Sequence, residues 1–209
     1  MPPALPPSRA VTIGYRIVTL LLVVAAAFLL LELVSILVGI ARGGDPLLYG
    51  DPLTVPLQAN PDHLRGLPPG IHLHDWPNVD VEIPDPSTKV MVLRSAADLP
   101  PVALLIAVLW LLRGLIGSVR AGEPFGEANV QRVRTLGTVL IAGGLAAAFV
   151  QYLMRLWLFN ALPPALTTNL AGRGFELPGA AILAGLGAYI LAEAFAYGLR
   201  LREDVEATI

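Results

Sequence analysis

The sequence predicts an all-α membrane protein of four transmembrane helices, with a small extracytoplasmic β-rich insertion between helices 1 and 2. Three observations predict it. Four apolar runs, Val18–Ala41, Leu99–Val119, Leu136–Phe159 and Pro178–Leu199, are each long enough to cross a bilayer, whose hydrocarbon core takes about 20 apolar residues. The composition fits lipid: 55% of residues are hydrophobic and 14% charged, with mean hydropathy +0.67, against roughly 25% charged in a soluble domain. Between the first two runs the chain turns rich in Pro, Gly and Asp, with short alternating stretches.

The first run resembles a signal peptide, with Arg9 and Arg16 before it and Ala25-Ala26-Ala27 as a cleavage-like site. Its apolar stretch continues to Ile40, past the ~7–15 residues of a secretory core. An uncleaved helix over 17–41, after a cytoplasmic segment 1–16, is therefore expected. The other boundaries are an outer loop 42–98, a helix 99–119 and a cytoplasmic loop 120–135. A helix 136–159, an outer loop 160–177, a helix 178–199 and a cytoplasmic tail 200–209 follow. Orientation comes from the arginines: Arg9, Arg16, Arg120, Arg132, Arg134, Arg200 and Arg202 all fall on one side of this layout. The excess of basic residues in short loops marks the cytoplasmic face, so both termini are expected there, in a bacterial inner membrane.

In the outer loop, Leu53–Val55, Ile71–His74, Val79–Ile83 and Val90–Leu93 read as three or four short antiparallel strands. Alternation or short apolar runs bounded by Pro and Asn carry that reading. His72 and His74 share one face of such a strand. Paired imidazoles can bind zinc or copper; two solvated histidines are the plainer reading, because no further ligands complete a set at recognised spacing.

Glu32, Arg113, Arg155 and Glu193 lie inside the apolar runs. A charge at that depth is costly and is held by a partner or by function. Depth along each helix pairs Arg113 with Glu193 near the inner surface and Arg155 with Glu32 near the outer one; arginines snorkelling to headgroups are the alternative. Small and polar residues also recur at helical spacing: Ala25, Glu32, Ser35 and Gly39; Gly137, Gly144, Ala148, Gln151 and Arg155; Ala181, Gly185, Tyr189 and Glu193. In lipid such stripes bring helix backbones together.

In the loop 120–135, Pro124 is placed to open a helical turn. Val130, Val133 and Leu136 then recur at helical spacing, as in a short interfacial helix feeding the third span. Arg132 and Arg134 would meet anionic headgroups, or serve only to set topology. In the tail, Arg200–Asp204 and Arg202–Glu206 stand at i, i+4. They read as a solvated ion-pair face or as a docking surface for a cytoplasmic partner.

Two patterns carry a family resemblance. One is Gly122-x-Pro124-Phe125-x-x-x-Asn129-x-x-Arg132-x-Arg134-x-x-Gly137. The other is Ala192-Glu193-x-Phe195-x-x-Gly198-x-x-Leu201-Arg202-Glu203-Asp204-x-Glu206-x-Thr208-Ile209. Together they resemble an uncharacterised, domain-of-unknown-function family of small bacterial four-helix integral membrane proteins; Ala207 stands where that pattern has glycine. The resemblance implies four helices with a small outer domain and no established activity. Members are often accompanied by a small helix-turn-helix regulator, which implies a membrane-bound regulatory partner.

Several function classes find no support. There is no cysteine, hence no thiolate nucleophile or thiolate metal site. No P-loop, GxSxG or HExxH is present. A net charge of −2 gives no footprint for direct nucleic-acid binding. The expectation is a non-enzymatic membrane protein without cofactor, whose partners are the bilayer, a cytoplasmic DNA-binding regulator or a second copy of itself. A small transporter or ion pathway is the alternative.

Overall fold

The computed structural model describes residues 9–42, 53–59, 78–83, 86–121, 126–162, 164–167, 170–171 and 174–206. Among them, helix α1 (Arg9–Arg42) is followed by strands β1 (Leu53–Ala59) and β2 (Asn78–Ile83) and helix α2 (Thr88–Arg120). Next come α3 (Glu127–Thr138), a π-helical turn (Val139–Gly143) and α4 (Gly144–Ala161). The short α5 (Pro164–Thr167), strand β3 (Leu170–Ala171) and α6 (Gly179–Glu206) complete the order. Four helical stretches are long and apolar enough to cross a membrane: Arg9–Arg42, Thr88–Arg120, Glu127–Ala161 and Gly179–Arg200. Their outward faces carry Leu20, Leu30, Leu37, Trp110, Phe149, Leu183 and Ile190, all exposed. That much bare apolar surface on long helices marks a membrane protein.

Contacts divide the chain into two units, one of 30–100 with 148–176 and the other of 1–29 with 101–147 and 177–209. The first holds a three-stranded sheet in the order β2-β1-β3. β1 pairs antiparallel with β2 from Leu53↔Ile83 to Gln58↔Asn78, and with β3 through Gln58↔Ala171 and Ala59↔Leu170. Pro56 stands in the middle strand, opposite Asp80 of β2. Val55 from the sheet, Val90 and Met91 from α2, and Leu158 and Leu162 form the buried core of this unit. Burying such side chains contributes about 1.5–3 kcal/mol each relative to exposure.

Three expectations about this region are corrected. Val90–Leu93 is helical, because Ser87 caps α2 through its hydroxyl and carbonyl, which accept from the Val90 and Met91 N–H groups. A short apolar run does not distinguish strand from buried helix by pattern alone. The sheet is also not a self-contained insertion between the first two helices, since its third strand comes from the segment between α4 and α6. Helix α2 begins at Thr88 rather than Leu99 and runs through Pro100 and Pro101. Each proline removes an N–H from the helical ladder, which is why that position reads as a helix start. The stretch Ile71–His74 lies outside the described residues.

In the second unit α6 packs along α3 and the π-helical turn. Val133, Ala188 and Ala192 form its buried core, with Leu115 and Phe195 against them. The expected interfacial helix is α3, which runs directly into the third span. It starts at Glu127, after Gly126 in an extended conformation (φ −79°, ψ 153°). On α1 the stripe Ala25, Glu32, Ser35 and Gly39 is buried, as its spacing predicts.

Candidate functional site

The site grows from two glycines. A Cβ on Gly185 would stand 2.5 Å from Ile141 Cγ1 and 2.9 Å from the Gly137 carbonyl oxygen; a Cβ on Gly137 would stand 2.9 Å from Tyr189. At that separation only hydrogen fits, so α3 and α6 touch backbone to backbone, as small residues allow in lipid. The contact continues at one end, where a Cβ on Gly144 would meet that of Ala181 at 3.1 Å. At the other end it turns polar. Thr138 Oγ1 and Tyr189 OH share a hydrogen bond of 2.7 Å, and Arg134 Nη2 donates to Glu193 Oε1 at 2.7 Å. Moving back along α3 corresponds to moving forward along α6, which is an antiparallel register.

Glu193 therefore pairs with Arg134, not with Arg113. The physical reason is reach. Arg134 stands on α3, in direct backbone contact with α6, whereas Arg113 stands on α2 and is engaged by α1. Its Nε donates to Thr19 Oγ1 at 3.3 Å, and its guanidinium lies 5.4 Å from the centre of the Tyr15 ring. Arg155 has Glu176 as its acidic neighbour, at 3.9 Å, in place of the expected Glu32. Glu32 is buried on α1, 2% exposed.

The loop motif also builds a joint between α2 and α3. Asn129 is 1% exposed, and its Oδ1 accepts from Arg132 Nη1 at 3.1 Å. The Ser118 hydroxyl lies within hydrogen-bond distance of both Asn129 Oδ1 and the Leu115 carbonyl; with a single O–H it donates to one at a time. Arg132 Nη1 also lies 3.3 Å from the Gly114 carbonyl, tying α3 to the last turns of α2. Phe195 packs on the core of this unit, and nothing lies within 4 Å of a Cβ placed on Gly198.

So Asn129, Arg132, Arg134, Gly137, Glu193 and Phe195, from motifs far apart in sequence, come together at one end of the α3–α6 pair. The pairing was open to the spacing itself. Arg134 and Thr138 stand at i, i+4 on one helix, and Tyr189 and Glu193 at i, i+4 on the other. Depth counted along single helices missed it, because helices that lean on different neighbours bring different residues to the same depth. The buried role of Asn129 left no such signal. Gly122, Pro124, Phe125, His72 and His74 lie outside the described residues. So do the side chains of Arg202, Glu203, Asp204 and Glu206, although α6 runs through Glu206. Among the described residues no three His, Asp or Glu side chains gather as metal ligands.

Long apolar helices, a backbone-close helix pair and polar groups engaged across that pair define a multi-pass membrane protein. The chain belongs to the family described as Protein of unknown function (DUF2975), which matches residues 79–209. The match takes in both motifs and leaves out α1 and β1. Comparison with curated proteins and with solved structures gives no match.

Proposed function

We propose that this chain is a non-enzymatic protein of a bacterial inner membrane, with both termini cytoplasmic. We further infer that it serves as the membrane-bound partner of a small helix-turn-helix regulator. One observation carries the reading: the two family motifs meet on one polar end of the α3–α6 pair. That end opens into a groove of about 420 Å³ lined by Val130, Gln131, Arg134, Ala196 and Arg200, among others. A mixed polar and apolar groove suits a soluble protein surface. The arginine-rich segments support a cytoplasmic position for the same end, where a DNA-binding partner would be. Transport would require polar groups at several depths along one route. Here Arg134 with Glu193, Thr138 with Tyr189 and Arg113 with Thr19 are instead engaged in pairs across helix contacts.

The test is affinity purification of the whole protein from membranes in mild detergent. The expected result is a small DNA-binding protein in stoichiometric amount, lost when Arg200→Glu reverses a charge in the groove. A preparation free of any such partner, together with substrate-dependent flux in proteoliposomes, would replace this reading with transport.

A further inference from the structure

We propose that a second cavity, lined by Tyr15, Arg113 and Arg132, is a binding site for the phosphate group of an anionic ligand. This goes beyond the regulatory reading and does not depend on it. The cavity measures about 350 Å³ and is lined by Tyr15 of α1, by Trp110, Arg113, Gly114 and Gly117 of α2, and by Arg132 of α3. Small-molecule sites begin at roughly that size.

The charges make the case. Arg120 lies 4.6 Å and Arg113 5.4 Å from the centre of the Tyr15 ring, and Arg132 lines the same cavity. Two guanidinium groups thus gather over one aromatic ring, and a third lines the cavity beside it. Among the described residues, none of the three has an acidic partner. A ring face attracts a cation but cancels none of its charge, so an anion entering the cavity would relieve the repulsion among these groups.

The donors are also suited to phosphate. Arg113 commits Nε to Thr19, and Arg132 commits Nη1 to Gly114 and Asn129. These bonds hold both guanidinium planes in place. They leave the Nη groups of Arg113, and Nε and Nη2 of Arg132, without a hydrogen-bond acceptor among the described residues. Fixed planar guanidinium groups match phosphate oxygens two at a time. Glycine at 114 and 117 keeps the α2 wall low: a Cβ there would already lie 3.7 Å from Arg132 and from Tyr15 respectively.

The surroundings admit two sources for that phosphate. Arg113 lies about 10 Å along α2 from its end at Arg120, the depth of a headgroup boundary. Trp110 is 64% exposed beside it, an apolar surface that a lipid chain can follow. A soluble phosphate ester entering from the water would use the same arginines.

Whole purified protein in neutral detergent tests this by thermal shift and titration. The probes are phosphatidylglycerol, phosphatidylcholine and inorganic phosphate, with chloride as the reference anion. Expected is a stabilising shift with phosphatidylglycerol exceeding that with phosphatidylcholine. Arg113→Gln should weaken the binding about tenfold, as loss of one charged hydrogen-bonding partner does. Arg9→Gln, an exposed control on α1, should leave it unchanged. Arg120→Gln, whose side chain is exposed, gives the same reading should Arg113→Gln not fold. Tight binding of inorganic phosphate with the same arginine dependence would support the site and make its source soluble. Phosphate and phosphatidylglycerol binding no better than chloride and phosphatidylcholine, or binding indifferent to both arginine changes, would overturn the proposal.

Discussion

Replacing Gly185 by alanine lowers the melting temperature of the detergent-solubilised protein by several degrees, although the change adds one methyl group. The new Cβ would stand 2.5 Å from Ile141 Cγ1 and 2.9 Å from the Gly137 carbonyl oxygen. Ile141 can rotate, but the carbonyl is backbone and cannot move aside without separating α3 from α6. Forcing a methylene into a close-packed contact costs about 1–3 kcal/mol. In a chain of this length each kcal/mol is worth roughly 2–4 °C, so a fall of about 2–12 °C is expected. Gly187 lies on the same helix with nothing within 4 Å of a Cβ. There alanine should be neutral or slightly stabilising, since it is the better helix former. Thermal unfolding of the two variants side by side checks the close approach. Equal effects would mean that the helices do not touch at Gly185.

The second large effect is expected at Asn129. Its side chain is 1% exposed and accepts from Arg132, with the Ser118 hydroxyl also in reach. Asn129→Ala removes the acceptor that joins Arg132 and Ser118 and leaves a gap at a buried position, and loss of a buried hydrogen-bonding partner costs about 1–3 kcal/mol. Gln131, exposed two residues along the same helix, provides the control: alanine there should change stability by less than about 0.5 kcal/mol. If the two substitutions cost the same in thermal unfolding, Asn129 is not the joint between α2 and α3.

The contrast between these positions and their controls shows what the sequence made legible. Lipid imposes length and hydropathy on a spanning helix, so the four spans were visible as apolar runs. The α6 stripe was visible too, because Ala181, Gly185 and Glu193 keep a strict helical period. The ends of the elements were harder. Pro100 and Pro101 imitate a helix start, while Ser87, the residue that caps α2, stands among other turn-forming residues. Leu170–Ala171, two residues long, offers no alternation at all. At the candidate site the residues themselves were visible as motif members and as charges out of place. Their partners were not, because partnership depends on which helices lean together. Arg113 was expected to reach Glu193 and instead lies against Tyr15 and Thr19 of α1, while Glu193 meets Arg134.

The two family motifs meet at one end of the α3–α6 pair, proposed to be cytoplasmic, and the absence of any cysteine makes this directly measurable. Arg134→Cys and Glu193→Cys are introduced together and treated with a short bismaleimide in intact cells and in inverted membrane vesicles. The product is read as the mass of the whole protein. The account predicts one bridging reagent per chain, with a membrane-impermeant form reacting only in the inverted vesicles. Two separately capped thiols, or reaction with the impermeant form in intact cells, would contradict it.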